Sequence, residues 1–185
     1  LPALMTVVTL LATIPPIMAI NKLRGEEKKD RVTHLLGRAV SRTRLISTYI
    51  LLAVLNGFVM VSLAAIGLWS AGTAVVENGL QFGTIYGAAL VYFPAMLVMI
   101  SISVLLIGLK PSWTPAIWFY LLYSFFVLYL GNLFQFSDWV GQLSPFGHVP
   151  QLPVENFTSL PILSLIGVAV FLTVVGIAGY KRRDI

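Results

Sequence analysis

Five stretches of this sequence contain no Asp, Glu, Lys or Arg and are each about 20 residues or longer. A helix of roughly 20 apolar residues crosses the hydrocarbon core of a bilayer while satisfying its own backbone hydrogen bonds. Only 10% of the 185 residues are charged, against about 25% in soluble domains. The sequence therefore predicts an all-α membrane protein forming one transmembrane domain, with spans at about 1–20, 46–69, 85–109, 113–134 and 160–180.

Prolines interrupt two of these spans. Pro15 and Pro16 in the first span and Pro94 in the third each remove an amide donor, which predicts kinks there. The chain starts at Leu1 inside an apolar run that has neither a basic segment nor a small-residue cleavage site. This pattern is not that of a signal peptide, so we expect the chain to be a fragment of a longer protein.

The basic residues are distributed asymmetrically. With five alternating spans, all twelve Lys and Arg residues fall on one side of the membrane. The other side keeps only Glu77, Asp138, Glu155 and His148. Because loops rich in Lys and Arg stay in the cytoplasm, the chain is predicted to begin outside the cell and to end in the cytoplasm.

The segment Leu23 to Leu45 holds seven of the twelve basic residues. Its apolar residues recur at the spacing i, i+3, i+4, i+7 and i+8, which is one face of a helix: Val32, Leu35, Leu36, Ala39 and Val40. The opposite face carries Arg31, His34, Arg38 and Arg42. We predict a cytoplasmic amphipathic helix over about 26–43, whose apolar face either lies on lipid or fills a groove on a partner protein. Glu26 and Glu27 favour a protein, because acids face an anionic leaflet unfavourably.

The connection 135–159 before the last span is unusually apolar for an aqueous loop. Trp139, Val140, Leu143, Phe146 and Leu152 predict either short helices at the membrane interface or a loop packed on the helix ends. Pro145, Pro150 and Pro153 would fix its turns.

No catalytic motif is present in the sequence. It contains no phosphate-binding loop, no cysteine, and two histidines predicted on opposite sides of the membrane. No Asp, Glu, Lys or Arg lies within a predicted span, which disfavours an ion-coupled transporter or an intramembrane enzyme. The polar residues within the spans either bond across helix contacts or line a pathway for cargo. The candidates for such a lining are Asn56, Ser101, Tyr123 and Asn132.

Three segments carry a resemblance to a known family. The run LRGEEKKDRVTHLLGRAVSRTRL, the pattern LSPFGHVPQLP and the ending GYKRRDI resemble the C-terminal half of bacterial ABC export permeases of the type-2 class. The large multidrug and polyketide-antibiotic exporters of that class are the most similar. The sequence KDRVT after the paired acids departs from the Gly-Arg and Glu usual in the family.

The resemblance implies a six-span module that lacks its first span here, within a chain in the bacterial plasma membrane. It implies ATP-driven export of a hydrophobic compound by alternating access, with ATP and Mg bound by a separate ABC ATPase present in two copies. This chain would then be a transport subunit without a nucleotide site, paired with an N-terminal permease half or an identical chain, and with no nucleic-acid partner.

In that family the helix of the cytoplasmic loop is the coupling helix, which docks on the ATPase. The residues that this implies for the contact are Glu26, Glu27, Arg31, Leu35, Leu36, Arg38 and Arg42. The alternative function is a membrane scaffold or sensor subunit whose amphipathic helix rests on the inner leaflet.

Overall fold

The computed structural model describes residues 2–31, 34, 37, 40–76, 81–152 and 154–183, with the side chain of Asn132 left out. Eight α-helices occur in these residues, and no strand does. They are α1 (Pro2–Ala12), α2 (Ile14–Lys28), α3 (Arg42–Val75), α4 (Phe82–Leu90), α5 (Phe93–Leu109), α6 (Ala116–Phe134), α7 (Asp138–Gln142) and α8 (Ser159–Arg182). Two short 3₁₀ helices, η1 (Pro111–Trp113) and η2 (Pro145–His148), lie between them.

Five helical segments are long and apolar enough to cross a membrane, as predicted, but several have wider bounds. They are Pro2–Lys28, Arg42–Val75, Phe82–Leu109, Pro111–Gly131 and Ser159–Arg182. The first continues eight residues beyond the predicted end at Ile20, and the second contains 34 residues. Hydropathy marks only the apolar middle of such a helix, because helical hydrogen bonding continues unchanged outside the hydrocarbon core.

The predicted kinks appear as breaks between helices. Pro15 and Pro16 lie in the first turn of α2, directly after a break at Thr13. Pro94 likewise lies in the first turn of α5, after a break at Val91 and Tyr92. A proline in the first turn costs no hydrogen bond, because amides there have no partner within the helix. The prolines therefore lie next to the two interruptions of helical hydrogen bonding, within the spans Pro2–Lys28 and Phe82–Leu109.

The packing is organised around α5. In the apolar part of the Phe82–Leu109 span 67% of the residues are buried, against 17% in Ser159–Arg182. The most extensive helix contact is between α5 and α8, where Gly108 lies against Gly176. Small residues let two backbones approach in this way. Large apolar side chains such as Leu55, Phe119 and Phe171 point outward, as expected of helices that face lipid or further protein.

The connection 135–159 combines both predicted alternatives, since it contains short helices and packs on the bundle. It forms α7 and η2 and folds back along α6. The hydroxyl of Tyr123 donates to the carbonyl of Val140 at 2.6 Å, and that of Tyr120 donates to the carbonyl of Leu143. Ser144 donates to Ser124 at 2.8 Å in the interior. The connection is thereby fixed to the side of α6.

Candidate functional site at the basic end of the bundle

Four helix termini meet at one end of the bundle, which we call the basic end. They are the end of α2, the start of α3, the end of α5 with η1, and the end of α8. Every Lys and Arg that the structure describes lies in these termini or in the segments next to them. The predicted one-sided charge therefore corresponds to one end of the folded molecule.

The predicted coupling segment, 26–43, lies only partly within the described residues: its first three residues end α2, Arg31 and His34 are helical, and Arg42 begins α3. Glu26 and Glu27 belong to the last turn of α2, which ends at Lys28. Asp30 then has φ 54°, a left-handed conformation that an α-helix cannot continue through and that Asp tolerates better than most residues. Arg42 opens α3, whose N-cap Ser41 accepts a hydrogen bond from the amide of Arg44. Sequence periodicity does not reveal such a single-residue break.

Other predicted contact residues fall outside the description. Leu35, Leu36 and Arg38 lie outside the described residues, as do Val32 and Ala39. The amphipathic face itself therefore stays a prediction.

The two adjacent glutamates face different surroundings. Glu26 pairs with Arg31 at 3.2 Å, and the Arg31 side chain is 62% exposed. Exposed pairs of this kind contribute little to stability, about 0–1 kcal/mol. Glu27 turns inward and is only 9% exposed, where it pairs with Arg183 at 2.6 Å. Glu26, whose side chain is 19% exposed, thus pairs with an arginine at the surface, while Glu27 pairs within the bundle.

Arg183 is the centre of a cluster that joins all four termini. Besides binding Glu27 of α2, it donates to the carbonyl of Ile107 near the end of α5. Its own carbonyl accepts from Arg42 at the start of α3, and its guanidinium lies 5.3 Å from the centre of the Tyr180 ring on α8. We call Glu27, Arg42, Tyr180 and Arg183 the arginine cluster. The Ile107 carbonyl is one of the last in its helix, so a cation there also opposes the helix dipole favourably.

A second contact ties α2 to the start of α6. Arg24 donates to the hydroxyl of Thr114 at 2.6 Å, and Thr114 donates to the carbonyl of Pro111. Nearby, the Lys110 ammonium lies 4.2 Å from the centre of the Trp113 ring. Neither Arg24 nor Arg183 was among the predicted contact residues, because their partners are distant in sequence. The sequence indicated only that both arginines belong to the basic residues predicted on the cytoplasmic side.

The predicted pathway residues are not brought together by the fold. Ser101 is buried in α5 and donates to the carbonyl of Val98 in its own helix. Asn56 is on the exposed face of α3, and Tyr123 is bound to the connection through Val140. The side chain of Asn132 lies outside the description.

The opposite end holds a polar cavity of about 320 Å³ between α1, α6 and the connection. Thr6 and Tyr92 share a hydrogen bond of 3.0 Å there, and Asp138 and Gln142 of α7 also line the cavity. Sequence reasoning missed Thr6 and Tyr92, which only the fold brings together. Within the described residues, no group of three or more His, Asp or Glu is arranged to hold a metal ion.

Comparison with known proteins gives two matches. Residues 1–181 match a family model described as the C-terminal domain of the multidrug efflux system permease Rv1217c. The multidrug efflux system permease protein Rv1217c of Mycobacterium tuberculosis is 32% identical over 183 residues, which are 97% of this chain and 33% of that protein. The chain thus spans about a third of the length of this relative.

Proposed function

This chain belongs to the family of the C-terminal domain of the multidrug efflux system permease Rv1217c, and we propose that it is the C-terminal membrane half of a permease that expels hydrophobic or amphipathic compounds from a bacterial cell. The name of the relative, a multidrug efflux permease, supports this cargo class. The five apolar spans support a membrane-embedded role. The basic end and the C-terminus then face the cytoplasm, because loops rich in Lys and Arg remain on that side.

The energy for export comes, in this proposal, from a separate ABC ATPase, present in two copies, that binds ATP and Mg. The sequence has no phosphate-binding loop, and the spans predicted from it contain no Asp, Glu, Lys or Arg, so neither nucleotide hydrolysis nor an ion relay is evident in this chain. Hydrolysis in the partner would drive the permease between inward-facing and outward-facing states. The second half of the pathway is an N-terminal half of the same protein or an identical chain.

The contact with the ATPase is assigned to the surface next to the arginine cluster. Arg31 is accessible there and Glu26 partly so, Lys28 and Lys29 are exposed beside them, and Leu35, Leu36 and Arg38 supply the predicted apolar stripe and a further charge. Glu27 and Arg42 are then positioning residues, because both are bound within the bundle through Arg183.

The observation that carries the proposal is the arginine cluster itself. A movement imposed on the segment after Glu27 reaches α8 through Arg183, α5 through the Ile107 carbonyl, and α3 through Arg42. Interfaces of this kind switch between discrete packings instead of deforming continuously. A rigid junction between the docking segment and three spans is what an energy-coupling permease requires.

The test replaces the predicted apolar contacts in the full-length permease. Leu35→Asp together with Leu36→Asp should abolish copurification of the ATPase, because each well-buried leucine is worth about 2–5 kcal/mol and each 1.4 kcal/mol is about tenfold in affinity. Pull-down of the solubilised complex measures the contact, and ethidium efflux from cells measures transport.

Val154→Asp is the matched control. Val154 is exposed and lies in the connection before α8, at the other end of the molecule, so this variant should retain the ATPase and transport normally. An unchanged complex in the double leucine variant would refute the docking assignment. If the leucine variant instead lost only its affinity for anionic vesicles and kept the ATPase, the scaffold or sensor function would replace the proposal.

A further inference from the structure

A groove runs along α2 where that helix passes the start of α6. It consists of two adjoining cavities of about 250 and 650 Å³, which share Asn21 and Trp118 in their walls. The smaller cavity includes Arg24 and Lys28, and the larger one includes Pro15, Met18 and Lys22. We call the two cavities together the basal groove. It does not overlap the arginine cluster.

The lower part of the groove is cationic and has no acid to neutralise it among the described residues. Arg24 and Lys28 are four residues apart on α2 and therefore project from the same face. Arg24 is held in place by its bond to Thr114. The acids on the same helix are already engaged, Glu26 with Arg31 and Glu27 with Arg183.

Apart from Asn21 and Lys22, which follow each other on α2, the upper part of the groove is lined by apolar residues, and it opens outward. Met18 is 59% exposed and Trp118 is 37% exposed, although both lie on membrane-spanning helices. Along α2, Arg24 is about 9 Å from Met18 and about 14 Å from Pro15, at 1.5 Å per residue. A cationic pocket is thus continuous with an apolar channel along the direction of the spans, as a phospholipid molecule requires.

Asn21 marks the junction between the two parts. Its side-chain oxygen is buried and has no hydrogen-bond donor in the described part of the chain. Buried polar atoms are nearly always paired, so an unpaired one indicates a missing partner. A hydroxyl group at the level of a lipid head group would supply the donor.

We propose that the basal groove binds one anionic glycerophospholipid, with its phosphodiester at Arg24 and Lys28 and an acyl chain along Met18 and Trp118. Basic pockets between spans on the cytoplasmic side select anionic head groups in this way. Phosphatidylglycerol fits the pattern, because it combines one negative charge with hydroxyl groups that can donate to Asn21. The assignment of the leaflet rests on the proposed orientation, whereas the binding itself does not depend on transport.

Native mass spectrometry of the full-length permease in detergent tests this site. After incubation with phosphatidylglycerol or phosphatidylcholine of identical chains, the anionic lipid should be retained at least tenfold more. Arg24→Gln with Lys28→Gln should remove that preference. The matched control is Lys181→Gln with Arg182→Gln, which removes two exposed cations of the same end outside the groove and should leave retention unchanged. Equal retention of both lipids, or no difference between the two double variants, would overturn the proposal.

A fluorescence measurement then locates the lipid. Phosphatidylglycerol with brominated chains should quench Trp118, and Trp118→Phe should remove the quenched component while Phe119→Ala, next to it on the outward side, should keep it. Displacement of the lipid by millimolar inorganic phosphate would make the groove a site for soluble anions instead. Absence of quenching would mean that another part of the permease fills the groove. Copurification of the ATPase is measured in parallel on the same samples. If the ATPase is retained while the lipid does not bind in the groove, the lipid proposal fails and the proposed transport function does not.

Discussion

Arg183 illustrates how one residue near the end of the sequence determines the role of another near its beginning. Glu26 and Glu27 are equivalent by sequence, and both were predicted as contact residues. Arg183, 156 residues away from Glu27, binds that glutamate within the bundle, whereas Glu26 pairs with the exposed Arg31. Local patterns could predict that a charged segment lies at this end, but not which of two neighbouring acids faces the bundle.

The arginine cluster makes a prediction about single and double substitutions. Arg183→Gln should lower the free energy of unfolding by about 3 kcal/mol, because it leaves the largely buried Glu27 without its counter-charge. The Glu27 oxygen that Arg183 does not contact already has no partner in the described residues. Glu27→Gln together with Arg183→Gln should cost less than Arg183→Gln alone, since no buried charge then remains. Thermal unfolding of the purified permease measures whether the double variant is more stable than Arg183→Gln alone.

Glu26→Gln is the control for this series. Its partner Arg31 is exposed, so Glu26→Gln should change the free energy of unfolding by less than about 0.5 kcal/mol. If Arg183→Gln were as mild as Glu26→Gln, the cluster would not hold the helix termini together. In the double variant, ethidium efflux should fall while the ATPase still copurifies, which a purely structural role would not produce.

At the scale of helices, sequence analysis gave the number of spans because 20 apolar residues without charge have few alternatives to crossing a bilayer. It could not give their ends or the contacts between them. The break at Asp30 depends on one backbone angle, and α2 and α3 run past the apolar stretches that identified them. The pairing of α5 with α8 left no recognisable motif, because its small residues are distributed over two helices.

That pairing predicts a large difference between glycines. A Cβ on Gly176 would lie 2.8 Å from the carbonyl oxygen of Val104, and one on Gly108 would overlap the carbonyl of Gly176. Since both obstacles are backbone atoms, Gly108→Ala or Gly176→Ala must force α5 and α8 apart. We expect each substitution to lower the free energy of unfolding by about 1–3 kcal/mol, as in other overpacked interiors.

Gly167→Ala provides the comparison within the same helix. Nothing lies within 4 Å of a Cβ at Gly167, so the free energy of unfolding of this variant should differ from that of the parent protein by less than about 0.5 kcal/mol. Thermal unfolding in detergent would compare the three variants. Equal behaviour of Gly167→Ala and Gly176→Ala would show that the close approach of α5 and α8 does not form in the membrane.

At the scale of the whole molecule, the two ends differ in chemistry as well as in charge. The basic end joins helix termini through charged side chains, whereas the other end has a polar cavity bordered by the connection. The asymmetry of charge was evident from the sequence, since it requires only counting along alternating spans. The cavity was not, because Thr6 and Tyr92 are 86 residues apart and neither belongs to a motif.

The orientation of these ends can be measured directly because the sequence contains no cysteine. In a permease without other cysteines, Lys181→Cys should react with a membrane-impermeant maleimide only after the cells are opened. Val154→Cys should react in intact cells, because Val154 is exposed in the connection before α8. The reverse labelling would place the basic end outside, where no ATP is available, and would remove the basis for an ATPase docked on the surface of Glu26 and Arg31. Labelling of both sites in intact cells would instead indicate that the reagent enters the cells. Labelling of a cysteine in a known cytoplasmic protein, measured in the same cells, detects such leakage.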